Sequence, residues 1–282
     1  MTPTVAIIAQ GGMGAACAAR LTENRVRVLT SLAGRSDASA KRAAAAGMVA
    51  VSDAEIASAD FILSIVPPNE ALPLATRLAP ALTAANKKPV YADCNAVSPE
   101  TVKEIARAIE PTAAPFIDAG IIGGPPRAGY NGPIFYYSGS ADSGIERLND
   151  FGLIFRPVAG AIGAASALKM SYGGITKGLT AVGSAMMLAA TRAGVAEALH
   201  AELSASQPNL MTYFARSVPD MFGKAYRWVP EMQEIADFSG APATEEMYRA
   251  IAALYEQLAA DNEGEKADIG ALAAFFEKNI RK

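Results

Sequence analysis

The stretch TVAIIAQGGMGAACAARL, residues 4–21, constrains the fold more than any other part of the chain. Five apolar residues, Val5–Ala9, run without a break as a buried strand would. Gly11, Gly12, Met13 and Gly14 then form a turn stripped of side chains, and a run of small residues begins a helix. Such a turn brings backbone N–H groups and the positive end of a helix dipole up to a pyrophosphate, from which any Cβ would hold the ligand away. A tight strand-to-helix turn with no ligand is the alternative. Set against G-x-G-x-x-G, the chain reads Ala9-Gln10-Gly11-Gly12-Met13-Gly14, so alanine stands in place of the first glycine. The position of the turn, directly after the first strand, favours the phosphate reading and makes Gln10 through Gly14 candidate cofactor contacts.

Beyond Leu21 the chain repeats the β-then-α rhythm. Strands are expected at Val5–Ala9, Val26–Ser31, Met48–Val51, Phe61–Val66, Val90–Asp93, Phe116–Ala119, Ile134–Ser138 and Ile154–Val158. Helix starts are marked by the capping-box pattern Ser52–Glu55 and by Ser98 followed by Pro99. This alternation predicts an α/β domain with a doubly wound, mostly parallel sheet of Rossmann type over residues 1–162. From Ala164 to Ala193 neither Pro nor a strand pattern interrupts a helical reading, and Gly194 supplies the stop. That interdomain helix opens an all-α domain, residues 163–282, whose later segments are helical by period as far as GALAAFFEKNIRK at the C-terminus.

Composition narrows the function. Twenty-five basic against 28 acidic residues, with no long like-charge block, give no electrostatic footprint for nucleic acid or an anionic membrane. No apolar run reaches the roughly 18 to 20 residues of a membrane helix, and no signal peptide is visible, so a small-molecule partner and the cytoplasm are expected. Cys17 and Cys94 are read as unpaired thiols, and no metal site is expected from a chain with one histidine, His200, on an ordinary helix surface. At the end of the second strand the sequence is VLTSLAGRSDAS. A carboxylate there would hold a ribose 2′-hydroxyl, whereas hydroxyls and a guanidinium suit a 2′-phosphate. Thr30, Ser31, Arg35 and Ser36 therefore point to NADP over NAD, with a solvated loop as the alternative.

Four segments in order give the chain a family likeness: the glycine turn with Met13-Gly14, ILSIVPP at Ile62–Pro68, FIDAGIIGG at Phe116–Gly124, and GAASALKMSYGG at Gly163–Gly174. Together they resemble the β-hydroxyacid dehydrogenases, the group containing 3-hydroxyisobutyrate, tartronate semialdehyde and 6-phosphogluconate dehydrogenases. The details DCNAVSP, GGPP and YRWVPEMQEIADF are similar to a less characterised branch. The resemblance implies hydride transfer between NAD(P) and a small hydroxy acid or related alcohol, with Val66, Pro67 and Asn95 beside the cofactor. It also aligns Lys169 with the family's essential lysine, since oxidising an alcohol requires removal of its hydroxyl proton and reducing a carbonyl requires delivery of one. A surface lysine on a long helix is the bland alternative.

Departures from the family pattern bear on the substrate. The family's Asp-Ala-Pro-Val-Ser-Gly-Gly loop reads Asp118-Ala119-Gly120-Ile121-Ile122-Gly123-Gly124, so its serine is Ile122. Ile121, Ile122, Gly123 and Gly124 are candidate substrate contacts, with Arg127 as either a cationic anchor or an exposed structural arginine. Asn95 is a cofactor or substrate contact or else a turn cap. Where relatives carry asparagines beyond the lysine, Tyr172 and Gly173 stand here, and Lys169, Tyr172, Gly173 and Thr176 are expected to share a helix face. Trp228 lies near where relatives close the active site with a lysine, or it packs in the core. An imine reductase, which shares the architecture, is one rival reading; a non-catalytic NADP-binding sensor is another. Leu168, Ile175, Leu179, Val182, Met186 and Met187 give the long helix more apolar surface than a small domain can cover. Relatives bury this region between subunits, so a homodimer through the C-terminal domain is expected.

Overall fold

The structure, a computed structural model, describes residues 2–277, with Ala141 described in its backbone only. The chain divides into two compact units, Met1–Met170 and Ser171–Lys282.

In the first unit eight strands form one sheet: β1 (Thr4–Ile8), β2 (Arg27–Thr30), β3 (Val49–Ala50), β4 (Phe61–Ser64), β5 (Val90–Asp93), β6 (Phe116–Ile122), β7 (Ile134–Gly139) and β8 (Ile154–Pro157). Their order is β3-β2-β1-β4-β5-β6-β7-β8, and only the β6–β7 pair is antiparallel. Five helices connect the first six strands: α1 (Gly12–Glu23), α2 (Asp37–Ala45), α3 (Asp53–Ile56), α4 (Pro68–Ala84) and α5 (Pro99–Ile109). The pleat sends alternate side chains to opposite faces. Val5 and Ile7 join one apolar cluster with Cys17, Ala18 and Leu21 of α1. Ala6 and Ile8 join another with Ile56, Leu74, Leu78, Val102 and Ile105 from α3, α4 and α5. The sheet is thus covered on both faces, as the unbroken apolar strands require.

All eight expected strands are present, and the two helix-start signals behave as read. Ser52 and Glu55 form a reciprocal capping box, and Ser98 accepts from the Thr101 amide with Pro99 in the first helical turn. The largest boundary difference is at the end of β6. The segment after Ala119, expected as a loop, remains strand through Ile122, because Gly120, Ile121 and Ile122 pair with Tyr136, Phe135 and Ile134 of β7. The sequence pattern hides this, since two glycines come directly after Ile122 and Gly120 lacks a side chain to reveal alternation.

The long helix α6 (Ala164–Arg192) forms as expected, and Gly194 ends it in the left-handed region at φ +73°. The division between units falls within α6, after Met170, rather than ahead of it. The second unit continues with α7 (Ala196–Ser206), α8 (Pro208–Met221), α9 (Ala225–Ser239), α10 (Pro242–Glu263) and α11 (Ala267–Glu277). The helical reading of the C-terminal segment holds to Glu277; residues 278–282 lie outside the described residues. Within this unit Tyr255 and Leu258 of α10 and Met232 and Ile235 of α9 are buried.

Candidate active site

The order β2-β1-β4 places the topological switch between β1 and β4, and in open parallel sheets ligands bind beyond the carboxyl ends of the strands at that point. Ala9–Gly12 follow β1 there, and Ile65–Pro67 follow β4. A Cβ built on Gly14 would lie 1.9 Å from the Ala9 carbonyl oxygen, so only glycine lets α1 pack onto β1. A Cβ on Gly11 or Gly12 would meet nothing within 4 Å. Those two glycines therefore border open space. Gly11 caps α1 with no side-chain acceptor, and no acid lies in the first turn, so the leading amides keep their attraction for an anion. Met13, by contrast, packs against the apolar cluster beneath the turn. These features fit the pyrophosphate of a dinucleotide.

Gln10 is 1% exposed, and its carboxamide turns away from the turn toward β2. Its Nε2 donates to Thr30 Oγ1 and, at 2.8 Å, to the Ser31 carbonyl, while its Oε1 is buried without a hydrogen-bond partner. Thr30, expected to face a ligand, does not. Its hydroxyl donates to the Ile7 carbonyl at 2.8 Å and accepts from Gln10, and the residue is fully buried. The Thr30 side chain braces β2 against β1. Ser31 is also buried. Arg35 and Ser36 are exposed, and Ser36 caps α2 by accepting from the Ser39 amide. Arg35, Val66, Glu70, Pro73, Leu74 and Arg77 line a cleft between the β2–α2 loop and the start of α4. Pro67 is exposed at the N-cap of α4.

Asn95 is 3% exposed and committed inward. Its Oδ1 accepts from the Val66 amide at 2.6 Å, and its Nδ2 donates to Ser64 Oγ at 2.9 Å and to Asp93 Oδ1 at 2.5 Å. The side chain expected at the ligand thus ties the ends of β4 and β5 together and sets the path of the backbone at Val66. Beside it, burial pushes the Asp93 carboxyl up to about 7, against the hydrogen bonds from Asn95 and with help from the negative charge of Asp118.

Asp118, Gly120 and Ile122 stand on one face of β6 by alternation, whereas the Ile121 side chain belongs to the apolar core on the other. Ile121 therefore offers a ligand only its backbone. Asp118 is fully buried and holds the start of α6. Its Oδ2 accepts from the amides of Gly163, Ala165 and Ser166 at 2.9, 3.1 and 3.1 Å and from the Ser138 hydroxyl at 2.9 Å; its Oδ1 accepts from Ser166 Oγ at 2.7 Å. A carboxylate from a strand 45 residues earlier thereby acts as the helix cap. Gly120 completes the seat: a Cβ there would meet Lys169 Cβ at 2.9 Å and the Ala165 carbonyl oxygen at 3.0 Å. Lys169, partly buried, is thus fixed over β6 by one carboxylate and one missing side chain. Neither signal is readable from the residues alone, because capping across 45 positions leaves no local pattern.

The remaining candidates separate. Gly123 and Gly124 are exposed beyond β6, with Gly123 at φ +122°. The Arg127 guanidinium lies over the Tyr130 ring at 5.6 Å, and Arg20 of α1 donates to the carbonyls of Arg127 and Tyr130. The face expected to join Tyr172 to Gly173 is split. Gly173 is buried against Glu231, whose Oε1 would lie 3.1 Å from an added Cβ, whereas Tyr172 is 48% exposed. Trp228 packs edge-on against Tyr255 at 5.1 Å with the Lys177 ammonium 5.3 Å from its ring centre, and Lys177 pairs with Glu231. Trp228, partly buried, is thus held among side chains of the helical unit. His200 lies against the Phe275 ring at 5.4 Å in the same unit. Cys17 and Cys94 are free and buried, and burial raises both thiols. Among the described residues no cluster of acidic, histidine and cysteine side chains could hold a metal, and no helix is long and apolar enough to cross a membrane.

Comparison with known families decides the affiliation. The family model described as the NAD binding domain of 6-phosphogluconate dehydrogenase matches residues 4–167, more than half of the chain. The chain belongs to the β-hydroxyacid dehydrogenase family. Members of this family are NAD(P)-dependent oxidoreductases acting on CH–OH groups. A second model, a domain of unknown function designated DUF1932, matches residues 190–258 in the helical unit. No curated protein matches the chain. Among solved structures, the conserved protein MTH1747 of unknown function, itself described as similar to 3-hydroxyacid dehydrogenases, is 28% identical. That match covers 92% of this chain and 98% of that one, with a TM-score of 0.71. Two more distant likenesses speak to the fold alone. A 3-hydroxyisobutyrate dehydrogenase from Mycobacterium tuberculosis, solved with L-serine, is 19% identical over 100% of both chains at a TM-score of 0.69. An imine reductase variant from Myxococcus stipitatus, solved with NAD+, is 21% identical over 98% of this chain and 100% of that one at 0.62.

Proposed function

We propose that this member of the family is an NADP-preferring oxidoreductase that interconverts a small β-hydroxy acid, or a related alcohol, with its carbonyl, and that Lys169 is its proton-transfer residue. The observation that carries the reading is the seat of Lys169: Asp118 caps the helix that bears it, and Gly120 lets that helix lie on β6. A group held in one place before substrate arrives needs little reordering to meet the hydroxyl. On oxidation Lys169 Nζ takes the hydroxyl proton, and on reduction it returns one. A nicotinamide, when bound, would supply the hydride chemistry that complements this proton transfer. The amides of Gly12 and Met13, at the uncapped start of α1, would hold the pyrophosphate, and the exposed Arg35 and Ser36 after β2 would favour a 2′-phosphate.

Ile122 supports a second reading. It shares a β6 face with Gly120, stands where the family pattern has serine, and would suit an apolar imine better than a carboxylate. A turnover screen of β-hydroxy acids, their carbonyl partners and cyclic imines with NADP(H) and NAD(H) separates the two. Oxidation of a hydroxy acid with NADP+ supports the proposal; turnover of imines alone supports the rival; no turnover with either class favours a sensor. We also assign the protein to the cytoplasm, a reading supported by its two free, buried cysteines.

A further inference from the structure

One arginine of the nucleotide-binding unit has no place in that account. Arg42 lies in the last turn of α2, is exposed, and has no carboxylate partner among the described residues. Two neutral oxygens hold its guanidinium: Nε donates to the Gln10 carbonyl at 2.8 Å, and Nη2 donates to Ser39 Oγ at 3.0 Å. A helical side chain leans toward the helix N-terminus, and here that brings the guanidinium beside Ser39, whose hydroxyl is 3.3 Å from that of Ser36. Of the five N–H donors an arginine carries, these bonds use two. The charge is therefore fixed in position and not neutralised, with donors remaining.

Its anchor point gives this meaning. Gln10 follows β1 within the glycine turn, and its side chain binds Thr30 Oγ1 and the Ser31 carbonyl at the end of β2. Residue 10 thus links three parts: the pyrophosphate turn, the end of β2 where the adenosine ribose is read, and the α2 arginine. Arg35 is placed differently, lining a cleft that also holds the Glu70 carboxylate.

We infer that Arg42 is a 2′-phosphate-binding residue, held by the Gln10 carbonyl and Ser39 so that its free edge meets the phosphate beside the Ser36 and Ser39 hydroxyls. The inference rests on the NADP reading and adds to it a residue outside the loop that conventionally reads the ribose. A fixed guanidinium with its fork exposed gives paired, charge-assisted bonds that a lysine cannot reproduce.

Titration calorimetry with adenosine 2′,5′-bisphosphate and with 5′-AMP tests it on the parent protein, Arg42→Met and Arg42→Lys, without any turnover. The parent should bind the bisphosphate more tightly than 5′-AMP. Arg42→Met should weaken the bisphosphate by roughly 10- to 100-fold, leave 5′-AMP within about twofold, and so remove most of the preference. Arg42→Lys should fall between, and it keeps a cation on α2 should the methionine variant fail to fold. If the variants lose both ligands equally, Arg42 is only a tether to Gln10 and the inference fails while the NADP reading stands. Unchanged binding of both ligands overturns it as well. A parent protein that does not distinguish the two ligands removes the NADP reading and this inference with it.

Discussion

Asp93 shows how a single side chain sets a condition on the fold. Burial comes first among the causes that raise its carboxyl from 3.8 to about 7, and its Oδ2 lies buried with no hydrogen-bond partner. A folded-state value above the unfolded one means that the native protein binds the extra proton between about pH 4 and 7. Stability from this group is therefore present in acid and lost as pH rises through 7. Asp93→Asn removes the titration while keeping an oxygen to accept from Asn95. We expect the variant to melt above the parent at pH 8, by an amount on the order of 2–4 kcal/mol in unfolding free energy, and the gap to close by about pH 4. Melting curves at about pH 4, 6 and 8 check this; a gap that stays constant with pH would contradict it. At this scale the sequence was legible in residue type more than in role. Gly11, Gly12 and Gly14 sit as the strand-to-helix turn demanded, but Thr30 and Asn95, read as ligand contacts, brace strand ends instead. Short polar side chains at a strand end serve either purpose, and only burial distinguishes them.

At the scale of elements, the β6–α6 junction matters most. Strands and helices were readable from apolar runs and caps, because those signals lie within a few residues of each other. The extension of β6 to Ile122 and the capping of α6 by Asp118 depend on partners far along the chain, Tyr136 to Ile134 in one case and Gly163 to Ser166 in the other. Gly120→Ala places one methyl group against Lys169 Cβ and the Ala165 carbonyl. We expect it to destabilise the protein by about 1–3 kcal/mol and to lower kcat far more than it changes the Kd for NADP+, because the helix head must move while the glycine turn does not. Denaturant melts with parallel turnover and cofactor-binding measurements supply the check. Equal losses in turnover and cofactor affinity would show that the junction does not set Lys169 apart from the rest of the unit.

Across the whole molecule, Leu168, Tyr172, Ile175, Leu179, Val182 and Met186 recur at alternating spacings of four and three along α6, and all are exposed, Ile175 to 70%. That is the spacing of one apolar stripe on a helix, and a stripe of six large apolar side chains favours a second copy of the chain. It agrees with the homodimer expected from the sequence, whose mass by light scattering would be twice the 29.2 kDa of the chain. Ile175→Asp with Val182→Asp should return the mass to that of one chain; a parent protein that remains at 29.2 kDa on concentration would remove the dimer. The proposed chemistry depends above all on Lys169 moving the proton in an NADP-linked oxidation. Its most direct test is Lys169→Ala, assayed for hydroxy acid oxidation with NADP+ and, separately, for NADP+ binding by calorimetry. We expect turnover lower by about 100-fold or more with the Kd for NADP+ within roughly twofold of the parent; near-normal turnover by the variant at neutral pH would exclude Lys169 as the proton-transfer residue.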